Sequence, residues 1–191
     1  TLDLTIEAIL EYLMIAGDNL IAGDNLIAGD NLIAGDNSYM ETVHRFFKKR
    51  GYRAGDTIDY RQVPFADAYF TYYLHTGDNR FTGPYLEESR RMARELPRTS
   101  GGAVCILHEG RPYMLIDYLQ HYTIRMARAG SISGDTLFFN ECIDQFRKYR
   151  EILRYTRSGL YSQGRGWLED PEQLSPSCWS RGQGWLIRGM V

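Results

Sequence analysis

The sequence predicts an all-α chain assembled from repeated helical hairpins, as a toroid or a solenoid. Two observations carry this reading. A small residue followed by Gly-Asp and, within a few positions, an aromatic recurs along the chain, and the segments between carry apolar residues at mixed three- and four-residue spacing. A hairpin of two helices buries only part of its apolar surface, so several in one chain imply stacking against neighbours.

The helical segments read, in order, as residues 4–14, 39–47, 65–74, 85–96, 115–126 and 137–155, with no interior proline except near starts. The hinges are Ala34-Gly35-Asp36 before Tyr39, Thr76-Gly77-Asp78 before Phe81, and Ser133-Gly134-Asp135 before Phe138. In each, Gly can take the left-handed conformation that ends a helix, and Asp can accept the orphan N–H groups of the next. Only short stretches such as residues 103–107 look extended. Residues 15–37 depart from the plan, since Met14-Ile15-Ala16-Gly17-Asp18-Asn19 is followed by three copies of Leu-Ile-Ala-Gly-Asp-Asn. Removing three hexads restores an ordinary hinge, so the segment reads as a tandem duplication inserted in a loop. A single coil of hexapeptide β-helix would leave its faces uncovered, and a helix would carry a costly Gly at every sixth position. The Leu-Ile pairs make this hexad loop a candidate for self-association.

At 191 residues, 43% hydrophobic and with a net charge of -2, the chain reads as a single domain over residues 1–191 with a sizeable core. The near-neutral charge argues against a nucleic-acid partner, and the basic run from His44 to Arg50 reads as the positive end of a helix. No apolar stretch approaches the roughly 18 residues that span a membrane, and Thr1 opens no signal peptide. Cys105, Cys142 and Cys178, odd in number and without metal-ligand spacing, predict reduced thiols in a cytoplasmic protein with no metal or cofactor.

The densest cluster of chemistry is Trp179-Ser180-Arg181-Gly182-Gln183-Gly184-Trp185. Read as a short turn, it suits an anionic sugar: Arg offers a planar fork to a carboxylate, Trp a flat face to a pyranose ring, and Gly a close backbone approach. The same residues equally suit an interface turn whose tryptophans are core.

The run from Leu96-Pro97-Arg98-Thr99-Ser100-Gly101-Gly102 through His108 and Met114-Leu115-Ile116-Asp117 to Trp167-Leu168-Glu169-Asp170 and residues 179–185 resembles glycoside hydrolase families 105 and 88. These are the unsaturated rhamnogalacturonyl and unsaturated glucuronyl hydrolases. The resemblance implies an (α/α)6 toroid, here incomplete, because the family continues with further hairpins where this chain ends at Val191. It also implies a substrate, a lyase-generated oligosaccharide with a terminal 4,5-unsaturated uronic acid, and a reaction, hydration of the C4=C5 bond, that needs no cofactor.

The resemblance assigns Asp117 as general acid and then base. Its apolar neighbours Met114, Leu115, Ile116, Tyr118 and Leu119 should raise its pKa, although an Asp here can also simply cap a helix. It further implies Asp59 as the second acid, with Asp56 as an alternative, and His108, Arg181 and Trp185 as substrate-binding residues. Trp179 reads as wall or core, and His44, His75 and His121 as structural or exposed. Two departures stand out: Leu115 replaces the family Trp before the acid, and Gln163 stands where many relatives carry His, so that Gln163 either substitutes as a hydrogen-bonding group or the contact is lost. The alternative reading is a non-catalytic carbohydrate-binding or assembly protein on the same helices.

Overall fold

The computed structural model describes Arg45, Lys48, Lys49, Phe70, Tyr73, Leu74, Gly77 and residues 79–190. The predicted helix at 4–14, the hexad loop at 15–37, Asp56, Asp59, His44 and His75 lie outside the described residues. Two compact units are distinguished, one of Thr1–Thr57 with Arg61–Tyr85 and one of Ile58–Tyr60 with Leu86–Val191. In the first, Arg45, Lys48, Lys49, Phe70, Tyr73 and Leu74 are helical, and Gly77 takes φ 67° while its N–H donates to the Tyr73 carbonyl at 2.7 Å. A 3-10 turn, Asn79–Phe81, leads into helix α1, Thr82–Glu95, which begins in this unit and continues into the second.

The second unit is mostly helical, with α1 followed by α2 (Asp117–Ser133), α3 (Thr136–Leu153) and α4 (Ser180–Met190). The hinge between α2 and α3 is built as the sequence predicts. Gly134 sits at φ 69° with its N–H on the Gly130 carbonyl at 2.8 Å, and the Asp135 carboxylate accepts the Leu137 N–H at 3.0 Å. Both α3 and α4 pack on α2. Gly130 lets α3 close in, since a Cβ there would stand 2.8 Å from the Phe139 ring. The helix α2 starts two residues later and ends seven residues later than the pattern 115–126 suggests, because Leu115 belongs to a strand and the small residues Ala129 and Gly130 continue the helix.

The all-α expectation needs one correction. Strands β1 (Ile106–His108), β2 (Arg111–Leu115) and β3 (Gly164–Arg165) form a small antiparallel sheet in that order. Its hairpin turn, Glu109-Gly110, holds both residues at positive φ, 51° and 78°, the geometry that matches strand twist in a two-residue connection. The sheet exists because β3 is made of residues that can approach closely. A Cβ at Gly164 would lie 2.3 Å from the Met114 carbonyl oxygen, and one at Gly166 2.3 Å from that of Pro112.

Polar side chains tie these parts together. The buried Gln145 of α3 accepts the Val104 N–H at 2.8 Å and donates to the Gly102 carbonyl at 3.1 Å, while Tyr149 donates to the Val104 carbonyl at 2.7 Å. Arg98 reaches the Ala93 and Gly102 carbonyls and Glu141, and the Tyr122 hydroxyl donates to the same carboxylate at 2.9 Å. Arg125 of α2, fully buried, donates to Ser89 at 2.9 Å and pairs with Glu88 at 3.1 Å, anchoring α2 on α1. The segment before β1 is thereby fixed against α3, and β2 delivers the chain into α2 at a defined point.

Asp135→Ala should lower unfolding stability by about 1 kcal/mol through loss of the cap. Gly164→Ala, which forces backbone apart, should cost about 1–3 kcal/mol or more. Urea denaturation read by circular dichroism checks both, and a Gly164→Ala protein as stable as the parent would contradict the β2–β3 contact.

Candidate active site

The site forms where β2 runs into α2. Ile116, fully buried, donates its N–H to the Gln163 carbonyl at 3.0 Å, and Asp117 follows as the first residue of α2. Ile116 occupies the N-cap position without a side-chain cap, so Asp117 is not the cap residue. Its carboxyl is half-buried, and burial raises its pKa above the ordinary 3.8, opposed by a hydrogen bond with its own backbone and by the charge of Arg181.

Residues 179–185 turn out to be a helix start and not a short turn, since α4 begins at Ser180. Arg181 and Trp185 are therefore four apart on one helical face. The Arg181 guanidinium carbon lies 4.1 Å from the Trp179 ring centroid and 5.2 Å from that of Trp185, and the two indoles meet edge to face at 5.0 Å. Cation–π contact of this kind is worth about 0.5–1 kcal/mol at an exposed site and consumes no N–H donor. Arg181 makes no side-chain hydrogen bond or ion pair among the described residues, so its fork can meet a carboxylate.

Gly182 and Gln183 serve the scaffold. A Cβ at Gly182 would stand 2.8 Å from Ile116 Cγ2, so the glycine admits the α2 start and not a ligand. The Gln183 amide accepts the Tyr161 N–H at 3.1 Å and donates to the Tyr161 carbonyl at 2.7 Å, clamping α4 to the loop that precedes Gln163. Around Gly184 there is open space.

The structure thus brings together Asp117, Arg181 and Trp185, with Gln163 joined to this group through its backbone, its N–H also donating to the Ser177 carbonyl at 2.9 Å. His108 is not brought in. It is exposed on β1 opposite Arg111, stacked on Tyr113 at 5.3 Å. From Arg111 the extended strand carries the chain roughly 13 Å further before Leu115, at about 3.3 Å per residue. Asp59 lies outside the described residues.

Two residues were undervalued by the sequence pattern. Trp179 is a direct partner of Arg181, and His121, one helical turn after Asp117, has its ring 6.0 Å from that of Trp185. The i, i+4 spacing of Asp117 and His121 was the available signal. Nucleophilic thiol chemistry finds little support, since burial raises the pKa of Cys105 and pushes that of Cys142 up to about 11. Among the described residues no group of three or more His, Cys, Asp or Glu could hold a metal, and no helix is long and apolar enough to cross a membrane.

A carboxyl with a raised pKa binds its proton more tightly folded than unfolded. Its destabilising cost is absent below 3.8, grows as pH rises through the raised folded value, and is complete above it. Asp117→Asn should therefore be more stable than the parent at neutral pH, with the advantage fading in acid. Urea midpoints at both pH values test this, and an advantage of equal size in acid would show that desolvation of the carboxylate is not its source.

Against known proteins, the model of Glycosyl Hydrolase Family 88 matches residues 31–191. No curated protein matches the chain. Among solved structures, similar ones include a possible member of the GH105 family from Salmonella enterica serovar Paratyphi A (21% identity, TM-score 0.65, covering 81% of this chain and 42% of that one). Another is a possible member of the GH105 family from Klebsiella pneumoniae (20%, TM-score 0.67, 81% and 41%). A third is a Family 105 glycoside hydrolase from C. acetobutylicum (16%, TM-score 0.64, 84% and 48%). The chain spans less than half the length of each of these structures. With a family model matched over most of its length, this chain belongs to Glycosyl Hydrolase Family 88.

Proposed function

We propose that the chain carries the acid-bearing part of a glycoside hydrolase that removes a terminal 4,5-unsaturated uronic acid from lyase-generated oligosaccharides, on an (α/α)6 toroid. The observation that carries this reading is a half-buried carboxyl, Asp117, with a raised pKa beside a guanidinium in contact with two indoles. Arg181 would take the uronate carboxylate and Trp185 would stack on the ring. Asp117, whose burial favours the protonated form, would donate its proton to C4 of the enol ether. Positive charge then develops over C5 and the ring oxygen, the Asp117 carboxylate accepts a proton from an attacking water, and the water oxygen bonds to C5. The resulting hemiketal opens and releases the neighbouring sugar. Asp59 would complete the site as the second acid, and Gln163, next to Asp117 through the Ile116 contact, would act as a neutral hydrogen-bonding group. Neither step calls for a metal or cofactor.

Incubating the full chain with an unsaturated uronyl disaccharide should consume the double-bond absorbance. Asp117→Asn should lower kcat by about 10²–10⁴-fold. Arg181→Ala should chiefly raise KM, and Arg181→Lys should fail to restore it because Lys lacks the planar fork. Undiminished turnover by Asp117→Asn would remove the mechanism, whereas sugar binding without product by the parent protein would favour a carbohydrate-binding role.

A further inference from the structure

The contacts of α2 and α4 form two matched rungs. Asp117 feels the charge of Arg181, and one turn further along each helix His121 meets Trp185 with ring centroids 6.0 Å apart at 54°. Both pairs are spaced i, i+4, so the same face of each helix supplies both rungs, and the two helices run in the same direction there. Trp185 meets three aromatic or cationic groups: the perpendicular Trp179 indole at 5.0 Å, the Arg181 guanidinium at 5.2 Å and the His121 ring. Two of these come from α4 or the residue just before it and move with it. His121 refers the indole to α2, the helix that carries Asp117.

We propose that His121 is a positioning residue that sets the plane of the Trp185 indole relative to the Asp117 carboxyl, and so determines how an acidic sugar stacks in this site. The proposal rests on the functional reading above for the sugar, but the ring contact itself does not. A half-buried imidazole fits this task because its flat ring can pack against an indole.

The test compares His121→Ala, His121→Phe and His121→Gln in the full chain, with thermal unfolding first to confirm that each folds. With an unsaturated uronyl disaccharide, His121→Ala should raise KM about two- to tenfold with kcat nearly unchanged, and His121→Phe should restore KM by restoring the ring contact. In parallel, the exciton circular-dichroism couplet of the Trp179–Trp185 pair, identified by its loss in Trp179→Phe, should weaken in His121→Ala and persist in His121→Phe. A fall in kcat at constant KM would assign His121 to proton transfer and overturn the proposal. Rescue by Gln and not by Phe would assign it to hydrogen bonding and equally overturn it. Should the parent turn over no substrate, the functional reading fails and the couplet alone decides: a couplet unchanged in His121→Ala ends the positioning role, and one lost there but kept in His121→Phe sustains it.

Discussion

The site depends on the seating of α4 on the start of α2, where Gly182 lies against Ile116 with no room for a further carbon. Everything chemical is arranged around that contact. Ile116 is held from the other side by its backbone bond to Gln163, and α4 is held by the two-way clamp of Gln183 on Tyr161. Because Asp117 follows Ile116 and Arg181 precedes Gly182, fixing one pair of neighbours fixes the other. A side chain at 182 would lever α4 away and carry Arg181 and Trp185 with it, which makes the smallest residue of the motif its geometric centre.

The second constraint is electrostatic. Elsewhere the second unit uses Arg–carboxylate pairs as structural ties, with Arg125 closing on Glu88 and Arg98 on Glu141 at hydrogen-bond distance. Asp117 and Arg181 are arranged differently. Burial is the largest influence on Asp117 and Arg181 the smallest of three, so the carboxyl's pKa stays raised. Holding the cation by π faces explains how both can coexist: the indoles keep Arg181 close without committing its donors to the acid. A tight salt bridge would bring the opposite result, lowering the pKa and favouring the deprotonated carboxylate.

The legible parts of this architecture were those with local causes. The helix spacing located α1 and α3 to within a few residues, and Gly134-Asp135 marked the hinge between α2 and α3, because a left-handed cap and an accepting carboxylate act within one turn of chain. The sheet was less legible, since β3 has two residues and its pairing with β2 depends on glycines far along the sequence. Within the site, Arg181 and Trp185 stood out by residue type, whereas Trp179 and His121 gained meaning only once α4 was laid along α2. His108, which the resemblance names, lies exposed on β1 opposite Arg111 and stacks on Tyr113, a placement that follows from the hairpin register and not from any local sequence signal.

Leu115, where the resemblance implies Trp, also follows from packing. Paired with Gly164 across the sheet, Leu115 brings its Cδ2 within 3.2 Å of the point a Gly164 Cβ would occupy, and the tip of the Trp167 indole comes within 3.0 Å of the same point. Both side chains border one small volume that exists only because residue 164 is glycine. An indole at 115 would have to displace the Trp167 ring tip or open the β2–β3 pairing. The chain has therefore placed its aromatic surface on the β3 side of this contact and a smaller aliphatic residue on the β2 side. That division leaves the step from Leu115 through Ile116 to Asp117 free of the crowding that would shift the acid from its place beside α4.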